Sequence, residues 1–261
     1  MPLLRHDKAV MLHKQQHAVG SELPEALKRR SVLIVLRAMV TLSVKLLFTQ
    51  PIIMAISIFG AYSFGVLFIF VSTHPQVWTQ LYHETTTIGG LNYISYGLGL
   101  FLGTQIGTRF GDYHYRRVKL HDDSRATPEL RLILMAPAAT LMPAALLLFG
   151  WSVEHRLHWI VPNAASVLLG AAYIMPLQCT QGYIVDAFPN HAASATAAAN
   201  VLRSFTAFEF PIFAPALYAR LGWGWGNSVL ALVAMTLGVP IAFLLRRFGA
   251  ALRARSSLAI K

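Results

Sequence analysis

PIIMAISIFGAYSFGVLFIFVS, residues 51–72, runs for 22 residues without an acid or a base. About 20 apolar residues in a helix, rising 1.5 Å each, cross the roughly 30 Å of hydrocarbon in a bilayer. The stretch therefore predicts a membrane-spanning helix, and five others follow it at about 88–109, 132–151, 159–184, 194–218 and 226–245. Apart from their margins these blocks also avoid charge, the fifth excepted. The reading is an all-α integral membrane protein, a bundle of six transmembrane helices.

Composition agrees. Hydrophobic residues make up 55% of the 261 and charged residues 13%, with a mean hydropathy of +0.52. A soluble domain carries about 25% charged residues. Too few polar side chains are present to coat a water-soluble core of this size.

The formal net charge of +11 sits between the apolar blocks rather than on a polar domain, which reads as a topology signal and not as a nucleic-acid interface. Lys and Arg number eight before the first block, six between the second and third, and five after the last. The opposite side has only Arg156 and Arg220. Both termini are thus expected in the cytoplasm, the plasma membrane being the expected bilayer. Residues 1–45 read as a basic cytoplasmic linker, 46–246 as the bundle and 247–261 as a cytoplasmic tail. The first thirty residues contain no apolar stretch of the signal-peptide kind. Cys179 is the single cysteine, so no disulfide can form within the chain.

Polar residues inside the blocks are the candidate functional groups. Arg203 and Glu209 both fall within the fifth block, where an ionisable side chain costs about 2.5–3.5 kcal/mol and normally faces a bundle interior. Six residues apart, they lie about 120° apart around an ideal helix, so Arg203 is expected to find a partner on another span. Gln178, Gln181 and Tyr183 in the fourth block and Asn92 with Tyr96 in the second are candidates for recognising a partly apolar solute, or for bonds between helices. Gly99, Gly103, Gly107 and Gly111 recur every fourth residue and predict a ridge of close helix approach, either fixed packing or a sliding surface. Seven prolines in or near the blocks predict kinked helices.

Several stretches together resemble the second half of a fungal major facilitator superfamily transporter of the drug–proton antiporter type. LLFTQPIIMAISIFGAYSFGVLFIF and GGLNYISYGLGLFLGTQIG are similar to its seventh and eighth helices. Gly103, Gly107, Arg109, Asp112, Arg116 and Arg117 resemble a degenerate copy of the superfamily's glycine–acid–basic loop motif, and Pro128–Glu129–Leu130–Arg131 its entry to helix nine. QGYIVDAFPNHAASATAAANVLRS and FPIFAPALYARLGWGWGNSVLA look like helices ten to twelve. The resemblance covers about 40–255, although Glu209 stands where the family carries a small residue.

The resemblance implies one half of a major facilitator fold, taking part in proton-coupled efflux of drug-like or secondary-metabolite solutes. It implies Arg109, Asp112, Arg116 and Arg117 as a cytoplasmic gating loop. Partners are an organic solute, protons, the lipid bilayer, and either a second copy or a separate N-terminal half. No cofactor or metal is implied. A competing reading is a truncated, non-transporting membrane remnant or subunit. A membrane enzyme would need clustered ligands, whereas the ten histidines read as loop or tail residues and only His155 and His158 are closely spaced.

Overall fold

A computed structural model describes residues 41, 44–121, 128–189 and 192–254. The expected linker up to residue 40, the last seven tail residues and the stretch 122–127 lie outside the described residues. Those described are helical apart from short connections, without a strand. Helix α1 covers Pro51–Gln76 and runs on through a π-turn, Val77–Leu81; the short α2 is Thr86–Leu91 and α3 is Tyr93–His121. A 3₁₀ segment, Pro128–Leu134, leads into α4, Met135–Glu154. Helix α5 is Ile160–Ala187, α6 Ala192–Val233, and α7 Val239–Ala254 after the π-turn Ala234–Gly238.

Four stretches are long and apolar enough to cross a membrane: Pro51–Leu81, Leu130–Glu154, Ile160–Ala187 and Ala192–Leu245. The last, 54 residues long, would reach about 80 Å if straight, more than twice the hydrocarbon thickness. It is instead two spans. Gly222 breaks it with φ +74° and ψ 178°, a conformation that L side chains rarely adopt. Helix α3 is of membrane length but less apolar, because its glycines, Gln105 and the basic residues from Arg109 onward dilute it. The described residues therefore supply six membrane-length helices: α1, α3, α4, α5 and the two legs of α6–α7.

Packing pairs α1 with α6, α3 with α5, and α4 with both α5 and α6. The core joins Ile69 and Phe70 of α1, Tyr96 of α3, Leu146 and Phe149 of α4, Leu169 of α5 and Leu230 of α6. Phe70 stands edge-on to Phe149, ring centres 5.1 Å apart. Without a hydrophobic force between helices in lipid, such contacts work through dispersion and close fit.

One end of the bundle is tied by loop contacts. The Tyr82 hydroxyl donates to Leu157 O at 2.7 Å, joining the end of α1 to the α4–α5 loop. Glu154 reaches the break in α6, where its Oε2 accepts from the N–H groups of Trp223 (2.7 Å) and Gly224 (3.1 Å). A carboxylate there satisfies orphan donors and meets the positive end of the helix dipole. Glu154→Ala should therefore lower stability by about 1 kcal/mol, as a helix cap does, in thermal unfolding of the detergent-solubilised chain. An unchanged midpoint would remove Glu154 from that role. All five tryptophans, 78, 151, 159, 223 and 225, fall at this end of their helices, as an interfacial aromatic belt would place them.

His74 corrects the expectation that every histidine lies in a loop or tail. The first helix runs past residue 72, and His74 is fully buried within it, its Nε2 accepting from the Trp78 indole at 3.1 Å. His114 and His121 are likewise on helix α3.

Candidate functional site

The small residues AASATAAAN at the start of α6 bring that helix close to its neighbours, and Arg203 follows them on the next turn. Its Nη1 donates to Asn200 Oδ1 at 3.0 Å, one turn back on the same helix. Its Nη2 donates to the Tyr173 hydroxyl of α5 at 3.4 Å. The guanidinium carbon lies 4.5 Å from the centre of the Phe64 ring of α1, itself stacked on Tyr173. The aliphatic stem rests on Gly60, where an added Cβ would stand 3.3 Å from Arg203 Cδ. Three helices thus hold the half-buried cation through an amide, a phenol and an aromatic face. Every partner is neutral, and among the described residues no carboxylate lies within ion-pair distance.

Beside it lies an apolar recess of about 500 Å³ between α1 and the two legs of α6. Leu202 and Thr206, which flank Arg203 on its own helix, line it together with Ala61, Phe210, Val229 and Leu230. The Thr206 hydroxyl donates to Ala61 O at 2.7 Å, and the Tyr62 hydroxyl to Leu230 O, so the helices forming the recess are hydrogen-bonded to one another. Charge and recess are contiguous through Leu202, Thr206 and the Gly60–Ala61 turn.

The other candidates are dispersed. Glu209 is exposed, and among the described residues nothing bonds to it. Gln178 accepts from the Thr108 hydroxyl at 2.9 Å and lines a small cavity of about 170 Å³ with Gly107, Gly111, Arg131 and Cys179. Gln181 is exposed, and Tyr183 is wholly buried. Tyr96 packs into the core against Phe70, 5.1 Å between ring centres, and its hydroxyl has no hydrogen-bond partner among the described residues. Asn92 lies between Glu84, at 2.7 Å from its Nδ2, and Asn163, whose amide donates to its Oδ1 at 2.8 Å. In the adjoining loop, burial and then the Glu84 carboxylate raise the Tyr82 phenol above its ordinary range.

The stretch expected as a gating loop is mostly helix. Arg109, Arg116 and Arg117 are exposed on α3, which continues to His121; Asp112 lies on the same helix, with its side chain outside the described residues. Gly103 and Gly107 belong to the contact with α5 rather than to a loop. Sequence reading missed the ion pair of Arg131 with Asp186, which joins the 3₁₀ entry of α4 to the end of α5, with the Arg131 stem over Gly182. It also missed Asn200, Tyr173 and Phe64 around Arg203. Of these only Asn200, three residues before the arginine, left a periodic signal.

Comparison with known proteins finds fungal transporters among the chain's relatives. It is 44% identical to an MFS-type transporter of Aspergillus oryzae over 80% of this chain and 44% of that protein. It is 41% identical to an efflux pump of Penicillium aethiopicum over 83% and 43%, and 35% identical to a second MFS transporter of Aspergillus oryzae over 93% and 49%. The chain spans about half the length of these relatives. No family model matches it, and no solved structure does.

Proposed function

Because the chain belongs to the fungal MFS-type transporters of the major facilitator superfamily, we propose that it supplies one six-helix half of a carrier that exports small organic compounds in exchange for protons. The observation that carries this reading is Arg203, a cation in a membrane-spanning helix, set on neutral partners beside an apolar recess. Buried intramembrane charge is costly, and its usual compensation is a functional contact.

No bond is made or broken in such a cycle. Solute binds near the bilayer midplane between two halves, whose rocking exposes it to one side and then the other. Arg203 with Tyr173 and Asn200 would orient the polar end of the solute, and the recess would take its apolar body. Glu209, on the exposed face of α6, would carry the exchanged proton. Arg109, Asp112, Arg116 and Arg117, at the far end of α3, would hold the cytoplasmic side closed. The distribution of Lys and Arg supports cytoplasmic termini; an exporter of this kind would sit in the plasma membrane.

The test is accumulation of a panel of fluorescent aromatic solutes in cells deprived of their own efflux pumps. The chain should lower accumulation when expressed with the N-terminal half of a fungal relative, and a protonophore should abolish that effect. Accumulation unchanged by the pair would overturn the carrier reading; lowering that ignores the protonophore would overturn the proton coupling.

A further inference from the structure

Resting on the carrier reading, we infer that the solute is an amphipathic organic anion, its carboxylate or phenolate at Arg203 and its apolar, ring-sized body in the adjoining recess. The guanidinium has five N–H donors, and its described hydrogen bonds go to two neutral oxygens, on Asn200 and Tyr173. Its charge has the Phe64 ring beneath it and no carboxylate among the described residues. A neutral solute would leave that charge uncompensated in a medium of low dielectric. A cationic solute would add repulsion to it, whereas an anion would form charge-assisted, forked hydrogen bonds.

The recess supplies the second half of the specificity. Its lining is aliphatic and aromatic, and its two hydroxyls, on Thr206 and Tyr62, are already spent on Ala61 O and Leu230 O. Its polar groups offer nothing to a sugar or a peptide. Its volume of about 500 Å³ suits a body of one or two rings, within the range of small-molecule sites. Leu202 and Thr206 bracket Arg203 on one helix, so head and body sites are about one helical turn apart.

The test uses the full chain, co-purified with the N-terminal half of a fungal relative, in phosphatidylcholine nanodiscs and three probes with one carbon frame: 2-naphthoate, 2-naphthamide and 2-naphthylmethylammonium. Equilibrium binding should favour naphthoate over naphthamide by about tenfold or more, with the ammonium weakest. Arg203→Gln should erase the preference, and Arg203→Lys should keep most of it. Val229→Trp, which fills the recess from a position 42% exposed, should weaken naphthoate and naphthamide alike. Should Arg203→Gln fail to fold, the wild-type ranking and Arg203→Lys still decide. Equal binding of the three probes, binding of none, or a preference that survives Arg203→Gln would each overturn the anion inference. The carrier reading would then stand or fall separately, on the accumulation measurements.

Discussion

Gly99→Ala should cost about 3 kcal/mol, and Gly99→Leu should prevent the folded chain from accumulating. A Cβ at residue 99 would lie 2.1 Å from the carbonyl oxygen of Val167 and 2.8 Å from its carbon. Those are backbone atoms of α5, which no side-chain rotation can move aside. Overpacking of this kind costs about 1–3 kcal/mol and sometimes more. The same ridge supplies its own controls. At Gly103 a Cβ would meet Ala171 Cα at 2.7 Å, so alanine there should also destabilise. At Gly107 the nearest atom is the end of the Gln178 side chain at 3.4 Å, and the loss should be slight. At Gly111 nothing lies within 4 Å, so alanine should be neutral or stabilising by up to about 1 kcal/mol through helix propensity. Thermal unfolding of the four alanine variants in detergent should show this gradient. Equal midpoints for Gly99→Ala and Gly111→Ala would sink it. The contact is reciprocal, since a Cβ on Gly170 would lie 2.6 Å from Tyr96 O. An approach this close, backbone against backbone, is what the packing reading of the four-residue spacing expects.

Much of the bundle was legible because apolar length is a one-dimensional signal. Residues 51–72 fall inside α1, 132–151 span the 3₁₀ entry and most of α4, 159–184 lie in α5 except for Trp159 at its cap, and the gap between the fifth and sixth blocks contains the break at Gly222. The block 88–109 was legible from its apolar run, yet α3 starts at Tyr93, runs on to His121 and is less apolar than the other spans. Ends were less so: the first block stops at residue 72 while the helix continues through His74 and Trp78, since ring packing against Tyr93 extends it beyond the apolar run. The site was legible in its ions and not in its partners. Arg203 is conspicuous as a charge in an apolar block, but Tyr173 is 30 residues away and Phe64 more than a hundred. The pairing of Arg131 with Asp186 and the reach of Glu154 to Trp223 likewise depend on how helices stack. No periodicity within one segment encodes that.

Glu209→Leu should stabilise the chain on its own by about 2–3 kcal/mol, and the same change should damage it in a working carrier. Glu209 lies within the first leg of α6, on an exposed face with Phe205 (62% exposed), Phe208 (74%) and Ile212 (64%). Surrounded by lipid, that face suits the bilayer everywhere except at the carboxyl group, where insertion costs about 2.5–3.5 kcal/mol. Removing the carboxyl recovers most of this cost. If a second six-helix half covers the face, the group is out of the lipid and available to a proton or a cationic partner; leucine then deletes a function instead of a penalty. The opposite signs separate the two situations. Resistance to unfolding in detergent should rise for Glu209→Leu in the chain alone, whereas co-expression with the N-terminal half of a relative should show lost export. The unmodified chain, reconstituted alone in proteoliposomes and shown by mass to be a monomer, should be inactive, because one half leaves the midplane site open to lipid. Proton-driven transport by that monomer would defeat the two-half account. A Glu209→Leu chain no more stable than its parent would mean that the carboxyl group is already satisfied within a single half.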